Sequence, residues 1–184
     1  MISGTPGVGK TSVAVELASR LGLTYVNLSD LVISEGLYIE RDVVRDTYVV
    51  DEDRLINRLV GLLKEGDLII DSHYGEIVPD YLVRFIFVLR LNPASLHRKL
   101  AERGWRESKI LENVEAEMLG MCTYNALNEH PAGKVCEVDA SGKETSDIVN
   151  EIVEVLEGLR ECHVGVDWLS QELPEELLTK LLRR

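Results

Sequence analysis

Residues 4–11 read GTPGVGKT, and no other stretch of the 184-residue chain constrains its fold as tightly. The spacing matches the phosphate-binding loop pattern G-x-x-x-x-G-K-[ST]. Polyphosphate carries concentrated negative charge and many acceptor oxygens. A loop can cradle it only if successive backbone N–H groups point inward and no side chain blocks the approach. Gly4, Gly7 and Gly9 permit both the unusual dihedrals and the close contact. A helix opening at Lys10 adds its positive dipole end. The Lys10 ammonium is then placed to reach the β- and γ-phosphates, and the Thr11 hydroxyl to ligate Mg²⁺. Just Met1, Ile2 and Ser3 precede the loop, few for the strand that must feed it, and a natural start a few residues upstream is the expectation.

The apolar periods after the loop alternate between helix and strand, the pattern of an α/β domain with a mostly parallel sheet. Ala14, Leu17, Ala18 and Leu21 form one helix face that ends at Gly22. TYVNL at 24–28 reads as a strand. Asp51 or Asp53 can cap a helix carrying Leu55, Ile56, Leu59, Val60 and Leu63. DLIID at 67–71 and RFIFVLRL at 84–91 read as buried strands. Asn92-Pro93 is a cap followed by a first helical residue, opening a helix to about Arg103. One helix is expected over Ser108 to Asn128, a strand over 134–139 and a helix through Ile148, Ile152, Val155 and Leu159. The tail, 162–184, carries Trp168 and a helical pattern at Leu173, Leu177, Leu178 and Leu181, which suits either a helix packed on the domain or a partner-docking element.

Charge and cysteines narrow the function classes. Twenty basic against thirty-two acidic side chains leave a net charge of −12, which opposes non-specific nucleic-acid binding. From Glu129 to Glu161 there are nine acidic and three basic residues, so half the excess lies there; the charge suits simple solubility, or a basic protein partner on that side. No apolar run approaches the roughly 20 residues of a membrane helix. Gly4 to Lys10 interrupts any secretory leader, so a cytoplasmic location is expected. Cys122, Cys136 and Cys162 are widely spaced, odd in number and without metal-ligand spacing, and reduced thiols are expected.

Three further features bear on chemistry. Asp71 ends a buried strand, where a carboxylate can hold a water of the Mg²⁺ shell, and His73, two residues on, can orient an attacking water or receive its proton. The segment ERGWRESKILEN clusters Arg103, Arg106 and Lys109 around Gly104 between two helices; it suits a lid over the phosphates or an exposed basic junction. Residues 27–50 separate two core elements and carry Asp30, Arg41 and Arg45. An insertion there can hold a phosphate acceptor, or be a solvated helical excursion with charge pairs.

GTPGVGKTS, the LSDL and DEDR stretches, IIDSH, and ERGWRESKILENVEAE together resemble the adenylate kinase isoenzyme 6 family, from Ile2 to about Leu159. The resemblance implies a P-loop NTPase fold of the nucleoside monophosphate kinase kind: a parallel sheet flanked by helices, with a short lid. The length of 184 residues suffices for one domain and is short for two, so a single domain spanning 1–184 is expected. The resemblance implies reversible phosphoryl transfer between ATP and a monophosphate, usually AMP. It also implies ATP hydrolysis in late maturation of the small ribosomal subunit, with transient binding of ribosomal protein uS11. ATP contacts map onto Gly7, Gly9, Lys10, Thr11 and Ser12, with Arg103 from the lid. The acceptor region maps to 27–50, the lid to 102–112, and the hydrolytic pair to Asp71 and His73. The sequence departs from some relatives in having no basic side chain between Asp30 and Arg41, and in placing Tyr74 where many have a small residue. The resemblance also suggests a monomer.

Three functions follow: a nucleoside monophosphate kinase, an assembly ATPase whose nucleotide state governs a partner, or a nucleotide-dependent binding module with negligible catalysis. The first two are compatible, and both are expected.

Overall fold

The computed structural model describes residues 1–42, 47–74 and 77–183; Arg45 lies outside them. The buried strands alternate their side chains between two apolar layers. Ile69, Phe87, Leu89, Cys136 and Val138 face one layer. Ile70, Ile86, Val88 and Val135 face the other. A sheet buried on both faces needs apolar residues at successive positions, which is why these strands read as unbroken hydrophobic runs.

Five parallel strands form this sheet: β1 (Ile2–Ser3), β2 (Thr24–Asn27), β5 (Leu68–Asp71), β6 (Ile86–Arg90) and β7 (Val135–Asp139), in the order β2-β5-β1-β6-β7. β1 is central although only two residues long. Ile2 pairs with Asp71 on one side and Phe87 on the other, and Ser3 pairs with Val88. Connections run to β2 and β5 on one side and to β6 and β7 on the other, so the carboxyl end of β1 is where ligands settle in such sheets.

Helices cover both faces. α1 (Lys10–Leu21), α4 (Pro93–Glu102), α5 (Glu107–Met118) and α7 (Thr145–Leu156) bury Val13, Leu17, Leu96, Leu100, Ile110, Val114, Val149 and Ile152 in the first layer. α3 (Glu52–Leu63) places Leu55 and Leu59 in the second. Asp51 caps α3 by accepting from the Arg54 N–H, and Asn92 caps α4 by accepting from the N–H groups of Ala94 and Ser95.

Three expectations are revised. The helix expected over 108–128 is two helices, α5 and α6 (Met121–Glu129), parted at Gly120, which adopts φ 63°. At the break the Glu117 carbonyl accepts from the Gly120 N–H at 3.1 Å and from Arg90 Nη2 at 2.7 Å. Residues 27–50 are only partly helical. After α2 (Leu28–Ser34), β3 (Tyr38–Asp42) and β4 (Thr47–Val50) pair antiparallel in a sheet of their own.

The third revision concerns the cysteines. Cys136 and Cys162 are joined by a disulfide with Cα atoms 5.0 Å apart, and Cys122 is not disulfide-bonded. Their separation of 26 residues carries no pairing signal. The pairing arises because the tail returns beside β7, where the Glu137 N–H donates to the His163 carbonyl at 2.9 Å. The tail then packs on the domain: Trp168 is buried, and α8 (Glu175–Leu182) buries Leu177 with Leu173 and Leu181 against the first layer. Among the described residues, no helix is long and apolar enough to cross a membrane.

Candidate functional site

The loop 4–11 wraps the carboxyl end of β1, and two of its glycines are required for different reasons. Gly4 has φ +135°, and a Cβ there would lie 2.5 Å from the Leu89 carbonyl oxygen. Gly9 has φ +111° with nothing within 4 Å of a would-be Cβ, so its backbone faces open space where a ligand can approach. Gly9 is also the N-cap of α1 and makes no side-chain cap, so the first N–H groups of α1 are left to an anion.

Thr11, in the first turn of α1, donates its hydroxyl to Asp71 Oδ2 at 2.7 Å. Asp71 ends β5, beside β1, and is 2 % exposed. The same oxygen accepts from Tyr25 Oη and Asn27 Nδ2, each at 3.3 Å. Tyr25 and Asn27 are an i, i+2 pair on β2, and Asn27 registers against Asp71. That pair escaped the sequence reading; the available signal was two polar side chains on one face at the end of a buried strand. Thr11 and Asp71 form an all-oxygen pair, the donor type Mg²⁺ takes. Among the described residues no group of three or more His, Cys, Asp or Glu could hold a metal. The pair therefore fits an ion whose remaining ligands are phosphate oxygens and waters.

Lys10 reaches back to the Thr5 carbonyl at 3.3 Å. Burial lowers its pKa, Asp71 opposes that shift, and Arg103 adds to it by repulsion. Arg103 is thus electrostatically coupled to the loop. It is the exposed C-cap of α4, followed by Gly104 at φ 73° and by Trp105, which packs on the core. Arg106 is the N-cap of α5, and Lys109 in its first turn pairs with Glu112 at 3.6 Å. The basic segment is a tight junction between two helices. Ser12 is exposed on the first turn of α1.

His73 lies just past β5. Its pKa is lowered to about 4, first by burial and then by Lys10, so the imidazole is neutral at pH 7. Its ring rests against Tyr74 with centroids 3.8 Å apart. Cys122 Sγ sits 3.8 Å from the His73 carbonyl oxygen, which places this thiol at the site as well. His73, Ser72 and Tyr74 form one wall of a cavity of about 210 Å³; Leu28, Val32, Tyr48 and Val50 supply others. It lies between the loop after β5 and the 27–50 segment. Asp30 is exposed in the first turn of α2 and does not line the cavity. Arg41, also outside the lining, stands over the Tyr48 ring at 5.8 Å.

Comparisons with known proteins give the family and the fold. Residues 1–120 match the family described as "AAA domain". A protein named "Putative adenylate kinase" from Saccharolobus islandicus is 37% identical over 181 residues, covering 98% of this chain and 92% of its own. One of the same name from Pyrococcus furiosus is 40% identical over 168 residues, covering 91% and 89%. The crystal structure of shikimate kinase from Bacteroides thetaiotaomicron superposes with a TM-score of 0.54 at 13% identity, covering 85% of this chain and 96% of that one. This likeness is one of fold.

Proposed function

The chain belongs to the AAA-domain, adenylate kinase-like family that these relatives represent, and from that premise we propose that it transfers the γ-phosphoryl group of ATP to a nucleoside monophosphate, AMP foremost. The observation that carries the reading is the shared wall. His73 and Ser72 line the apolar cavity, and Asp71, the residue before them, accepts from Thr11 of the phosphate loop at 2.7 Å. An acceptor seated in the cavity presents its phosphate to the end of the loop where the γ-phosphate lies.

In this reading Gly7, Gly9, Thr11 and Ser12 cradle ATP with their backbone, and Lys10 neutralises its terminal phosphates. Tyr48 and Tyr74 offer rings to the acceptor base. Arg103 closes over the transferring group, with Arg106 and Lys109 behind it. Asp30, Arg41 and Arg45 remain the acceptor-side candidates of the 27–50 segment. Thr11 and Asp71 would hold Mg²⁺, which would supply charge neutralisation at the phosphates. The acceptor oxygen is already anionic, so no strong protein base is required. A coupled assay with ATP, Mg²⁺ and each monophosphate tests the reading. ADP must form faster when AMP is added; an unchanged rate removes the kinase function.

A second reading, hydrolysis of ATP in small-subunit maturation with transient binding of uS11, draws support from the neutral His73 beside the loop, able to orient a water. The acidic stretch 129–161 favours it less than its composition suggests. Glu137 is buried, and Glu151 pairs with both Lys143 and Arg160. Mixing the chain with purified uS11, with and without ATP, tests it, and a nucleotide-insensitive absence of binding argues against it. We place the protein in the cytoplasm, as a monomer.

A further inference from the structure

Glu117 of α5 lies outside the phosphate cradle, and its side chain is 1% exposed. Burying a carboxylate costs several kcal/mol unless its oxygens are fully engaged. Here they are. Oε2 accepts from the Thr5 hydroxyl at 2.5 Å. Oε1 accepts from Arg90 Nε at 2.9 Å, the Leu91 N–H at 3.0 Å and Trp168 Nε1 at 3.0 Å. Three separate parts of the molecule therefore meet on one carboxylate: the phosphate loop, the end of β6, and the tail.

Thr5 is the second residue of the loop. Its hydroxyl turns into the core, and Thr5 is 2% exposed, while its carbonyl accepts from Lys10 Nζ. Pinning the hydroxyl fixes the peptide that holds the lysine. The tail segment is itself tied down at several points before Trp168. Cys162 is in the disulfide, and the Gly165 and Val166 N–H groups donate to Glu137 Oε2 at 2.8 and 2.7 Å. Glu137 in turn pairs with Arg90, which pairs with Glu117. The tail thus reaches the loop through an unbroken chain of buried, charged hydrogen bonds.

We propose that Glu117 is a positioning residue for the phosphate loop and that Trp168 completes its geometry, so that docking of the tail sets the affinity for MgATP. The inference rests on the nucleotide reading of the loop. An apolar residue at 117 would fill the same space, but it would leave the Thr5 hydroxyl and the Leu91 N–H without an acceptor. The loop would then have to be ordered by the nucleotide at the expense of binding.

Trp168→Phe keeps an aromatic ring in the buried site and deletes the Nε1–H donor. Thr5→Val deletes the hydroxyl at nearly constant volume, and Thr5→Ser restores it. MgATP affinity of the whole chain is measured by calorimetry, kcat at saturating ATP by the coupled assay, and folding by thermal melts. Each deletion is expected to weaken MgATP about tenfold, the order of one lost hydrogen bond to a charged group, with kcat nearly unchanged. Thr5→Ser should bind like the parent, and the double variant should lose less than the product of the two single losses. Trp168→Phe carries the test alone if Thr5→Val does not fold. If folded Trp168→Phe binds MgATP as the parent does, or if kcat falls as far as affinity, Glu117 is a structural brace and the inference is overturned. A parent chain that takes up no MgATP overturns instead the nucleotide reading beneath it.

Discussion

Replacing Cys162 with Ser opens a covalent loop of 26 residues between β7 and the tail. The loss can be sized from that loop. Closing a loop of this length removes conformational entropy from the unfolded chain worth about 3.5 kcal/mol at 25 °C in the chain-entropy treatment. The native state should change little, because the tail stays held by Glu137 through Gly165 and Val166, and by Glu117 through Trp168. For a chain of this size, that energy corresponds to a fall in Tm of about 7–14 °C. Thermal melts of Cys162→Ser and of the parent with and without reductant provide the assay, with thiol titration of the unreduced, denatured parent as the control. One reactive thiol per chain is expected, Cys122, and the reductant should lower the parent's Tm to that of the variant. Three reactive thiols, or coincident melts in all conditions, would refute the reasoning, since the tail would then owe its position to non-covalent contacts alone.

Three other outcomes are expected. Asp71→Asn keeps the shape that accepts from Thr11, Tyr25 and Asn27 but removes the charge beside the phosphates; Mg²⁺-dependent ADP formation should fall about 100-fold or more, with Tm lowered by only a few degrees. A residual activity near the parent's would exclude Asp71 from the reaction. His73 should titrate near pH 4 by NMR in the nucleotide-free protein. Because its folded pKa lies below the unfolded 6.5, its stabilising contribution is complete above about pH 6.5, declines as pH falls towards 4, and is constant below that. A midpoint near 6.5 would mean that His73 is neither buried nor close to Lys10. Tyr74→Ala, which opens one wall of the cavity, should raise KM for AMP about tenfold while KM for ATP changes little; an equal rise in both would detach the cavity from the acceptor.

The phosphate loop, the strands around Asp71 and the helix cap at Asn92 were legible in the sequence, and the cap of α3 was narrowed to Asp51 or Asp53, because each depends on neighbours within a few residues. The requirement for Gly9, the polarity of Lys10-Thr11 and the carboxylate at the end of an apolar run are local statements about backbone and charge. Gly104 marked the basic junction for the same reason, although its compactness became clear only once Trp105 was seen packed on the core.

What sequence alone could not decide lies where distant segments meet. The antiparallel pairing of β3 with β4 left no signature in the sequence. It brings the Tyr38 and Tyr48 rings together, with centroids 4.6 Å apart. Tyr25 and Asn27 join Asp71 only because β2 is laid against β5, and Cys136 finds Cys162 only because the tail doubles back. Nothing along the chain pairs Glu117 with Arg90, although Arg90 stands in a run that reads as a buried strand. Glu117 becomes the buried partner of Arg90, Thr5 and Trp168 because a low-dielectric interior tolerates charge only when its polar atoms are paired, and that condition is met by tertiary packing, not by spacing along the chain.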